Sequence, residues 1–547
     1  MNARADLPHE RLTVFGQFAG EPRDLLPAFR AARTGADLEP LLRRDDNYVA
    51  AYEQGDRVWV VNSFYSLQPY FYHLSAGLFK HGDTIHGLAQ SGTFNFQWNP
   101  EAIADLMGLG HPIGDDTLAA DVLPLPQGAV LQWDGRRLTV DKFAYEDFIE
   151  GDRRPASANQ LLELFLSALQ AGVGHRPIMT SSSGLDSRLN LAGLLHLGIQ
   201  PELYVMGRHG AKDVEVTRAM AKAYGLQLNH VELEPQEYVD GAVEICRVTN
   251  GIKSVDNWHT YMLAKKSGYG HRDTVIVGNN GEHVRAMGFD YGVLALALDR
   301  LSRHDRYLVS GPLLAKFWKM KTHQLLRPDE LKKCCDGLAR YYGSPRQSDK
   351  LMSLMPRKSF VWRSDAFVLE QRRRMFQACG LKLMSLGFAP FSPFMSKRWI
   401  DVGWSADLSL RLGSAWHRQA VERLYPDLLR FPEEAEANGM LRHERPFTWL
   451  PGFNRIYRRP KAKSYADYGA LLRRPDILAL LRDYAGELED VMPRELVARI
   501  ADEQALTGKR GRLCATLTSM AVWRSVMRPR AGTSDATLSH KVDKTVD

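Results

Sequence analysis

The sequence predicts an α/β protein with a β-rich N-terminal domain and a C-terminal doubly wound parallel sheet that carries a helical extension. In the first 145 or so residues, apolar runs such as Tyr48–Tyr52 and Val58–Asn62 flank the turn sequence Glu53–Asp56, a pattern typical of hairpins. After about residue 160, strand patterns alternate with helix patterns, which favours parallel βαβ units. From Leu294–Trp523 the pattern is mostly helical.

The remaining N-terminal elements are also short. Apolar runs predict strands at Tyr70–His73 and Leu78–Lys80, and Val130–Val140 contains a turn between two further strands. A single helix is predicted at Pro100–Leu109. The polar, proline-containing stretch Gly151–Pro155 is a natural boundary, so we expect one domain over residues 1–150 and a second over 155–527.

The second domain begins with alternating helices and strands. Apolar periodicity predicts helices and strands in the order Gln160–Gly172 (helix), Arg176–Thr180 (strand), Ser187–Gly198 (helix), Glu202–Met206 (strand), Asp213–Tyr224 (helix), His230–Leu233 (strand) and Val275–Val277 (strand). The C-terminal residues 528–547 are polar and lack apolar periodicity, so we expect a disordered tail.

The composition excludes several classes of protein. The 547 residues carry a net charge of +7 and only five cysteines, and no Cys-x-x-Cys pair occurs. This argues against a disulfide framework or a structural zinc site, and the small charge excess does not indicate a nucleic-acid partner. The N-terminus lacks a signal-peptide core, and no apolar run is long enough to span a membrane. We therefore expect a cytoplasmic protein without membrane or nucleic-acid partners.

A loop of small polar residues is the most informative segment. The predicted strand at Arg176–Thr180 runs through Ser181–Gly184 into a helix. Such a turn directs backbone N–H groups and a helix N-terminus at one point, which suits an anion such as phosphate. Asp186 is a candidate ligand of Mg²⁺. The alternative is a serine-rich N-cap on an ordinary helix.

This loop resembles the pyrophosphate loop S-G-G-x-D-S of the ATP-pyrophosphatase superfamily, with Ser183 in place of the first glycine. It is not a Walker loop, because no G-K-[ST] follows. The resemblance implies that ATP lies over the loop and that its contacts come from seven residues, Ser181, Ser182, Ser183, Gly184, Leu185, Asp186 and Ser187.

Further segments resemble asparagine synthetases. The strand end Val205-Met206-Gly207 stands where that family has its adenine contacts, and Asp213 heads the following helix as in that family. The segment Val277–Glu282 resembles the family's G-x-G-G-D-E loop. That likeness implies roles for Gly278 and Gly281 in nucleotide binding, for Glu282 beside Asp186 in binding Mg²⁺, and for Asn279 in catalysis.

Two downstream segments continue the likeness. Pro390–Phe394 resembles the family's P-F-L-D neighbourhood. Leu410–Arg418 resembles the segment that carries a transition-state-stabilising lysine, so that His417 or Arg418 would serve in its place. An arginine is permanently cationic and suits pyrophosphate or an oxyanion. The alternative is a surface helix with ordinary basic residues.

The N-terminal domain resembles a class II glutamine amidotransferase, which implies an Ntn-hydrolase-like α+β sandwich. Asn62–Tyr72 is similar to the stretch D-R-x-G-x-x-P-L-Y-Y, and Leu123–Gly128 is similar to L-P-P-G. The glutaminase nucleophile of that family is an N-terminal cysteine. Here the chain begins Met1–Ala3 and its first cysteine is Cys246, so we expect no glutamine hydrolysis.

A ligase half beside a disabled glutaminase half resembles β-lactam synthetases and lasso peptide cyclases. That resemblance implies ATP and Mg²⁺ as cofactors, AMP and pyrophosphate as products, and a small-molecule or peptide substrate that supplies its own amine; it also allows a maturation enzyme as a partner. Two alternatives stay open: amidation with ammonia or a separate amine, and a non-catalytic assembly partner.

Overall fold

A computed structural model of the chain describes residues 2–7, 9–75, 78–90, 94–143, 155–268, 270, 273–285, 325–354, 365–433, 466–502 and 508–527. These residues form a mixed α/β fold with parallel and antiparallel sheets, as predicted. The expected boundary at residues 151–154, the start of the helical extension at 294–324 and the expected tail at 528–547 lie outside the described residues. Every described helix is too short or too polar to cross a membrane.

Two antiparallel sheets form the N-terminal region. The six-stranded sheet has the order β1-β2-β3-β4-β8-β9 and the three-stranded sheet the order β6-β5-β7. Their bounds are β1 Asn2–Leu7, β2 Glu10–Gln17, β3 Asn47–Gln54, β4 Arg57–Asn62, β5 Phe71–Ser75, β6 Leu78–Gly82, β7 Leu123–Pro124, β8 Ala129–Trp133 and β9 Leu138–Lys142. The hairpins predicted at β3–β4, β5–β6 and β8–β9 are confirmed.

The six-stranded sheet is buried on both faces. On β3, Tyr48 and Tyr52 belong to one core while Val49 and Ala51 belong to another, because successive side chains of a strand point to opposite faces. The core around Val49 packs against the three-stranded sheet through Tyr72 of β5 and Phe79 of β6. The core around Tyr48 and Tyr52 extends into the C-terminal region, so the two regions share one apolar interior.

A parallel sheet forms the centre of the C-terminal region. Its order is β12-β11-β10-β13-β14, and every pairing is parallel. Its strands are β10 Ile178–Thr180, β11 Glu202–Met206, β12 Leu228–Val231, β13 Thr274–Ile276 and β14 Ala389–Phe391. The prediction did not include β14. That strand is three residues long and contains Pro390, which fits its place at the edge of the sheet because proline donates no hydrogen bond.

Helices pack against all three sheets. Their bounds are Leu26–Ala31, Glu39–Leu42, Ile85–Ala89, Pro100–Leu109, Ala158–Gly172, Leu185–His196, Lys212–Tyr224, Pro235–Asp240, Ala242–Thr249, His259–Lys266, Pro328–Leu331, Asp336–Tyr341, Pro345–Ser353, Ala378–Met384, Lys397–Ser405, Leu408–Arg411, Ala415–Leu424, Tyr468–Leu471, Pro475–Asp483, Arg494–Asp502 and Gly508–Val526. A ten-residue π-helix spans Val368–Gln377. Helices of this kind are rare and often mark functional sites.

One helix boundary differs from the prediction in a way that matters for the site. The helix predicted to begin at Ser187 begins at Leu185, with Gly184 in extended conformation before it. Asp186 therefore lies in the first helical turn, where a carboxylate is favoured by the partial positive charge of the N-terminus. The strand predicted at His230–Leu233 lies two residues earlier, at Leu228–Val231.

A buried carboxylate joins the N-terminal helix Pro100–Leu109 to a helix of the extension. Asp105 Oδ2 accepts a hydrogen bond from Lys350 Nζ at 2.8 Å, and its Oδ1 accepts one from Gln347 Nε2 at 2.9 Å. Burial raises the pKa of Asp105 from 3.8 to about 6, although Lys350 opposes the change. Between about pH 4 and pH 6 the native state therefore holds a proton on Asp105 that the unfolded chain has released.

We expect Asp105 to make stability depend on pH. Its contribution is complete below about pH 4 and is lost as pH rises through about 6, because the native state binds the extra proton only in that window. The shift corresponds to about 3 kcal/mol. Urea unfolding of wild type and Asp105→Asn at pH 4, 5, 6 and 7 measures how this contribution to the free energy of unfolding changes with pH. A stability difference between the two proteins that stays constant across this range would contradict the assignment.

Candidate functional site

The loop Ser181–Gly184 follows β10 and is held by its own hydroxyl groups. The Ser181 N–H donates to Tyr204 O at 2.7 Å, which ties the loop to β11. The hydroxyl groups of Ser182 and Ser187 lie 2.9 Å apart, and Ser187 Oγ accepts from the Ser182 N–H at 3.2 Å. Gly184 N–H donates to Ser182 Oγ at 3.2 Å. The serines thus fix the turn from strand into helix.

The Asp213 carboxylate also engages this loop. Ser183 donates to Asp213 Oδ1 through both its backbone N–H, at 2.9 Å, and its hydroxyl, at 2.5 Å. Asp213 lies in the first turn of the helix Lys212–Tyr224, so the loop after β10 is joined to the helix after β11. Sequence reasoning placed Asp213 only by resemblance and assigned it no contact.

Asp186 is the central carboxylate of the site. Its Oδ1 lies 2.5 Å from Arg285 Nη2 and 3.1 Å from His417 Nε2. Burial raises the pKa of Asp186, but the positive charge of Arg285 opposes burial, and the net effect holds this pKa below its ordinary value. Asp186 is therefore ionised at neutral pH, as a ligand of a cation must be.

His417 lies fully buried against Asp186. Burial and the nearby Arg285 cation lower the pKa of His417, and the Asp186 carboxylate offsets only part of this. The ring is therefore neutral at physiological pH. Although Asp186 is close, neither ring nitrogen makes a well-directed hydrogen bond within the described part of the chain.

The structure does not bring Arg418 to Asp186. Its guanidinium forms two hydrogen bonds of 2.8 Å with the two carboxylate oxygens of Glu433, and it also donates to Gly413 O. Glu433 is almost fully buried, so this pair is part of the local packing. Among the described residues, the permanent cation that contacts Asp186 is Arg285, which sequence reasoning missed because nothing in its local pattern marks it.

Two glycines of the loop after β13 lie against Asp186. A Cβ added at Gly281 would lie 2.6 Å from Asp186 Cγ and Oδ1, and one added at Gly278 would lie 3.2 Å from Asp186 Cβ and the Ser187 backbone nitrogen. A side chain at Gly281 would therefore collide with Asp186, and one at Gly278 would make a contact tighter than normal. The predicted meeting of the Gly278–Glu282 loop with the Ser181–Ser187 loop therefore has a steric basis.

We expect Gly281→Ala to displace the Asp186 carboxylate and to cost about 1–3 kcal/mol of stability, as overpacking generally does. Gly486→Ala is the control, because the nearest atom to its added Cβ is a side-chain oxygen at 3.7 Å. Thermal unfolding of both variants measures the difference. Equal stability of the two variants would show that the loops have room to separate.

Glu282 is held by the π-helix. Gln377 Nε2 donates to Glu282 Oε1 at 2.6 Å, and Arg373 Nη2 lies 3.8 Å from the same oxygen. Arg373 is nearly inaccessible, and burial lowers its pKa while Glu282 opposes that change. The same helix binds the N-terminal region, where Gln371 Oε1 accepts from the Gly114 N–H at 2.8 Å.

The other predicted residues lie at the ends of the same strands. Asn279 accepts a hydrogen bond from Ser392 Oγ at 2.5 Å through its backbone oxygen. Val205 and Met206 end β11, and Gly207 follows them with its carbonyl 2.7 Å from His230 Nε2. Their backbone lies next to the serine loop, since the Ser181 N–H bonds to the residue before Val205.

The site coincides with the point where the strand order reverses. The chain runs from β10 outward through β11 to β12, and then returns to place β13 on the opposite side of β10. In open parallel sheets, ligands bind beside the carboxyl ends of the strands at such a point. The loop after β10 supplies Asp186 and the loop after β13 supplies Glu282, so both carboxylates lie at this reversal.

Within the described residues, no group of three or more acidic, histidine or cysteine side chains could hold a metal by itself. No known protein family matches the chain, and no curated protein matches it significantly. Fold and site together define a mixed α/β protein with a polar, partly charged site at the switch point of a parallel sheet.

Proposed function

We propose that this protein is an ATP-dependent, AMP-forming amide ligase of the asparagine synthetase type. It would adenylate a carboxylate and close an amide with an amine of the same small-molecule or peptide substrate. The observation that carries the proposal is the meeting of the Ser181–Ser187 and Gly278–Glu282 loops around Asp186 at the switch point. Such a site suits a polyanionic ligand, because Asp186 lies in the first turn of its helix, where amides are free of helix partners, and the Arg285 guanidinium contacts the same residue.

The fold is consistent with the proposal in both regions. The five parallel strands support an ATP-pyrophosphatase arrangement with a helical extension, and the two packed antiparallel sheets support an Ntn-hydrolase-like N-terminal sandwich. The shared core would hold the sandwich rigidly beside the ligase site. The N-terminal domain would therefore act as a structural support.

The nucleotide would be held mainly by backbone groups. The first-turn N–H groups of Leu185, Asp186 and Ser187 have no partner inside an α-helix, so they suit phosphate oxygens. The segment Val205–Gly207 would lie along the adenine. Arg285, which pairs with Asp186, would provide positive charge where phosphate charge develops.

The acidic residues fit Mg²⁺ as an ATP-bound ion. Magnesium is usually held by one or two carboxylates together with substrate phosphates and water, so a three-ligand cluster is not required. Within the part of the chain that the structure describes, both close contacts of Asp186 are made by Oδ1, which leaves Oδ2 for a metal. Glu282 would be the second ligand, and the bound ion would neutralise charge on the pyrophosphate.

The substrate carboxylate would attack the α-phosphate of bound ATP, with release of pyrophosphate. The amine nitrogen would then attack the activated acyl carbon, with release of AMP and of one proton. Arg285 would stabilise the negative charge, and the neutral His417 would act as a positioning residue for Asp186. The described contacts give no such place to Arg418, since Glu433 binds it.

A non-catalytic role is the second candidate, and two contacts favour it. The Ser183 N–H and hydroxyl are both taken by Asp213, so this part of the loop is already satisfied. The charge of Asp186 is already balanced by Arg285. A scaffold would keep both contacts for stability alone, whereas a ligase would also bind Mg·ATP.

Product analysis tests the proposal. ATP labelled at the α-phosphate is incubated with the protein, Mg²⁺ and fractionated small-molecule and peptide extracts, with and without added ammonium. We expect labelled AMP and equimolar pyrophosphate in fractions that hold the substrate, and no need for ammonium. Labelled ADP as product would overturn the assignment, and dependence on ammonium would favour intermolecular amidation.

Glu282 variants separate the ligase from the scaffold. Glu282→Asp should keep AMP formation because the carboxylate remains, whereas Glu282→Gln should lose it because the charge that offsets Mg²⁺ is gone. Asp336→Asn is the matched control, since its carboxylate is 85% exposed. Equal AMP formation by all three variants would count against Glu282 as a metal ligand.

A further inference from the structure

The π-helix contacts two separate parts of the protein. Its middle holds the backbone of Gly114, whose N–H donates to Gln371 Oε1 at 2.8 Å and whose carbonyl oxygen accepts from Arg374 Nη2 at 2.5 Å. At its end, Gln377 Nε2 donates to Glu282 Oε1 at 2.6 Å. One helix therefore connects a loop of the N-terminal region with a carboxylate of the proposed ATP site.

The contact with Gly114 is buried. Gln371 and Arg374 are each 5% exposed, and they bind both polar groups of the Gly114 backbone. Buried backbone groups that lose their partners are costly. A displacement of the π-helix at this point would therefore also require a displacement of the Gly114 backbone.

Glu282 is held through one oxygen. Within the described part of the chain, its contacts with Gln377 Nε2 and with Arg373 Nη2, at 2.6 and 3.8 Å, are both made by Oε1. The Glu282 side chain is 13% exposed. Oε2 is therefore left for a further ligand, as Oδ2 of Asp186 is.

The group that holds Glu282 most closely is a neutral amide. Arg373 lies beyond hydrogen-bonding distance at 3.8 Å, so Gln377 makes the direct contact. An amide N–H orients a carboxylate without cancelling its charge, and Mg²⁺ requires that charge. The reversed amide would place the Gln377 oxygen against the carboxylate, so the contact also fixes the orientation of Gln377.

A glutamate gains more from such a contact than an aspartate does. Its side chain has one more rotatable bond, and fixing these bonds on a metal costs conformational entropy. A side chain that is already held in its bound orientation loses less entropy on binding. The hydrogen bond from Gln377 therefore prepares Glu282 for a metal.

We propose that Gln377 is a positioning residue that holds Glu282 in place for Mg²⁺, and that the contact of Gln371 with Gly114 supports it through the π-helix. The N-terminal domain thereby contributes to the metal affinity of the ligase site. The role in metal binding rests on the proposed function, whereas the coupling between Gly114 and the Gly278–Glu282 loop does not.

Nucleotide titrations with and without metal test the role of Gln377. Gln377→Met keeps the length of the side chain but removes the donor, so Mg·ATP should bind at least about tenfold more weakly. ATP in the presence of EDTA should bind as it does to wild type, because Glu282 would reach the nucleotide only through the metal. Equal weakening of both forms, or an unchanged affinity for Mg·ATP, would overturn the positioning role.

Gln236→Met is the matched control, because Gln236 Nε2 also donates to a carboxylate oxygen, Asp240 Oδ1 at 3.0 Å, at an exposed place. This variant should bind both forms of ATP as wild type does. In a Glu282→Gln background, Gln377→Met should cause no further loss of Mg·ATP affinity, because Gln377 acts through Glu282. A second tenfold loss in the double variant would show that Gln377 acts elsewhere.

Hydrogen exchange of the protein without nucleotide tests the coupling. Gln371→Met removes the acceptor of the Gly114 N–H, and we expect amides around Gly114 and in the Gly278–Glu282 loop to exchange at least about threefold faster. The loop should respond because a less firmly held π-helix lets it open more often. Gln371→Glu keeps an acceptor and should exchange as wild type does. A uniform rise over the whole chain would overturn the coupling.

The two readouts separate this inference from the ligase. Faster exchange at both places in Gln371→Met, without any binding of Mg·ATP by wild type, would keep the coupling and remove the metal role together with the ligase. Equal Mg·ATP affinity of wild type and Gln377→Met would keep the ligase and remove the positioning role. Faster exchange around Gly114 alone would remove the coupling.

Discussion

Asp186→Asn should weaken Mg·ATP binding by about 100-fold, equivalent to about 2.7 kcal/mol. The change keeps the size of the side chain but removes the charge that would hold Mg²⁺, and it leaves Arg285 beside a neutral amide. In the proposed site the Asp186 carboxylate would bind Mg²⁺ and also pairs with the Arg285 guanidinium. Calorimetric titration of wild type and variant with Mg·ATP measures the effect.

The control for this prediction is Asp336→Asn, an exposed carboxylate paired with Arg340 on the surface. Exposed pairs contribute little, so the control should bind Mg·ATP as wild type does. Arg285→Gln should weaken binding as well, since it removes the cation at Asp186. If Asp186→Asn bound Mg·ATP as tightly as wild type, the nucleotide would not bind at Asp186.

Glu330→Gln should lower the free energy of unfolding by about 3 kcal/mol. Glu330 is fully buried, and its carboxylate oxygens lie 3.0 Å from Arg499 and Arg510. It joins the helices Pro328–Leu331, Arg494–Asp502 and Gly508–Val526. The change removes the charge that compensates Arg510, whose side chain is only 13% exposed, and an uncompensated buried charge is strongly destabilising.

Asp329→Asn is the matched control, because this neighbouring carboxylate is exposed. Exposed substitutions usually change stability by no more than about 0.5 kcal/mol. Chemical denaturation of the two variants gives the comparison. A Glu330→Gln protein as stable as the control would show that water or rearranged side chains replace the missing charge.

The elements that sequence predicted best are those with a strong local pattern. The turn Glu53–Asp56 between apolar runs gave the hairpin of β3 and β4, and the helix Pro100–Leu109 has its predicted bounds. The alternation of strands and helices after residue 160 predicted the parallel sheet. The loop Ser181–Gly184 was found because small polar residues between a strand and a helix form a distinctive turn.

The parts that sequence did not predict depend on contacts between distant residues. Arg285 reaches Asp186 across 99 positions, and Gln377 reaches Glu282 across 95. No local periodicity predicts either pair. The π-helix could not be predicted either, because a π-helix differs from an α-helix in the spacing of its backbone hydrogen bonds, which the sequence pattern does not reveal. The resemblance of Leu410–Arg418 to a lysine-bearing segment makes Arg418 a candidate, but the buried Glu433 binds it.

The most direct test of the central claim is the effect of Mg·ATP on the stability of the wild-type protein. A ligand at about 100 times its dissociation constant raises the free energy of unfolding by about 2.7 kcal/mol. We expect a stabilisation of that size with Mg·ATP, a smaller one with ATP in the presence of EDTA, and only about 0.4 kcal/mol in Asp186→Asn at the same Mg·ATP concentration, because its affinity is about 100-fold lower. Absence of any stabilisation of the wild-type protein by Mg·ATP would contradict the ligase and favour the non-catalytic role.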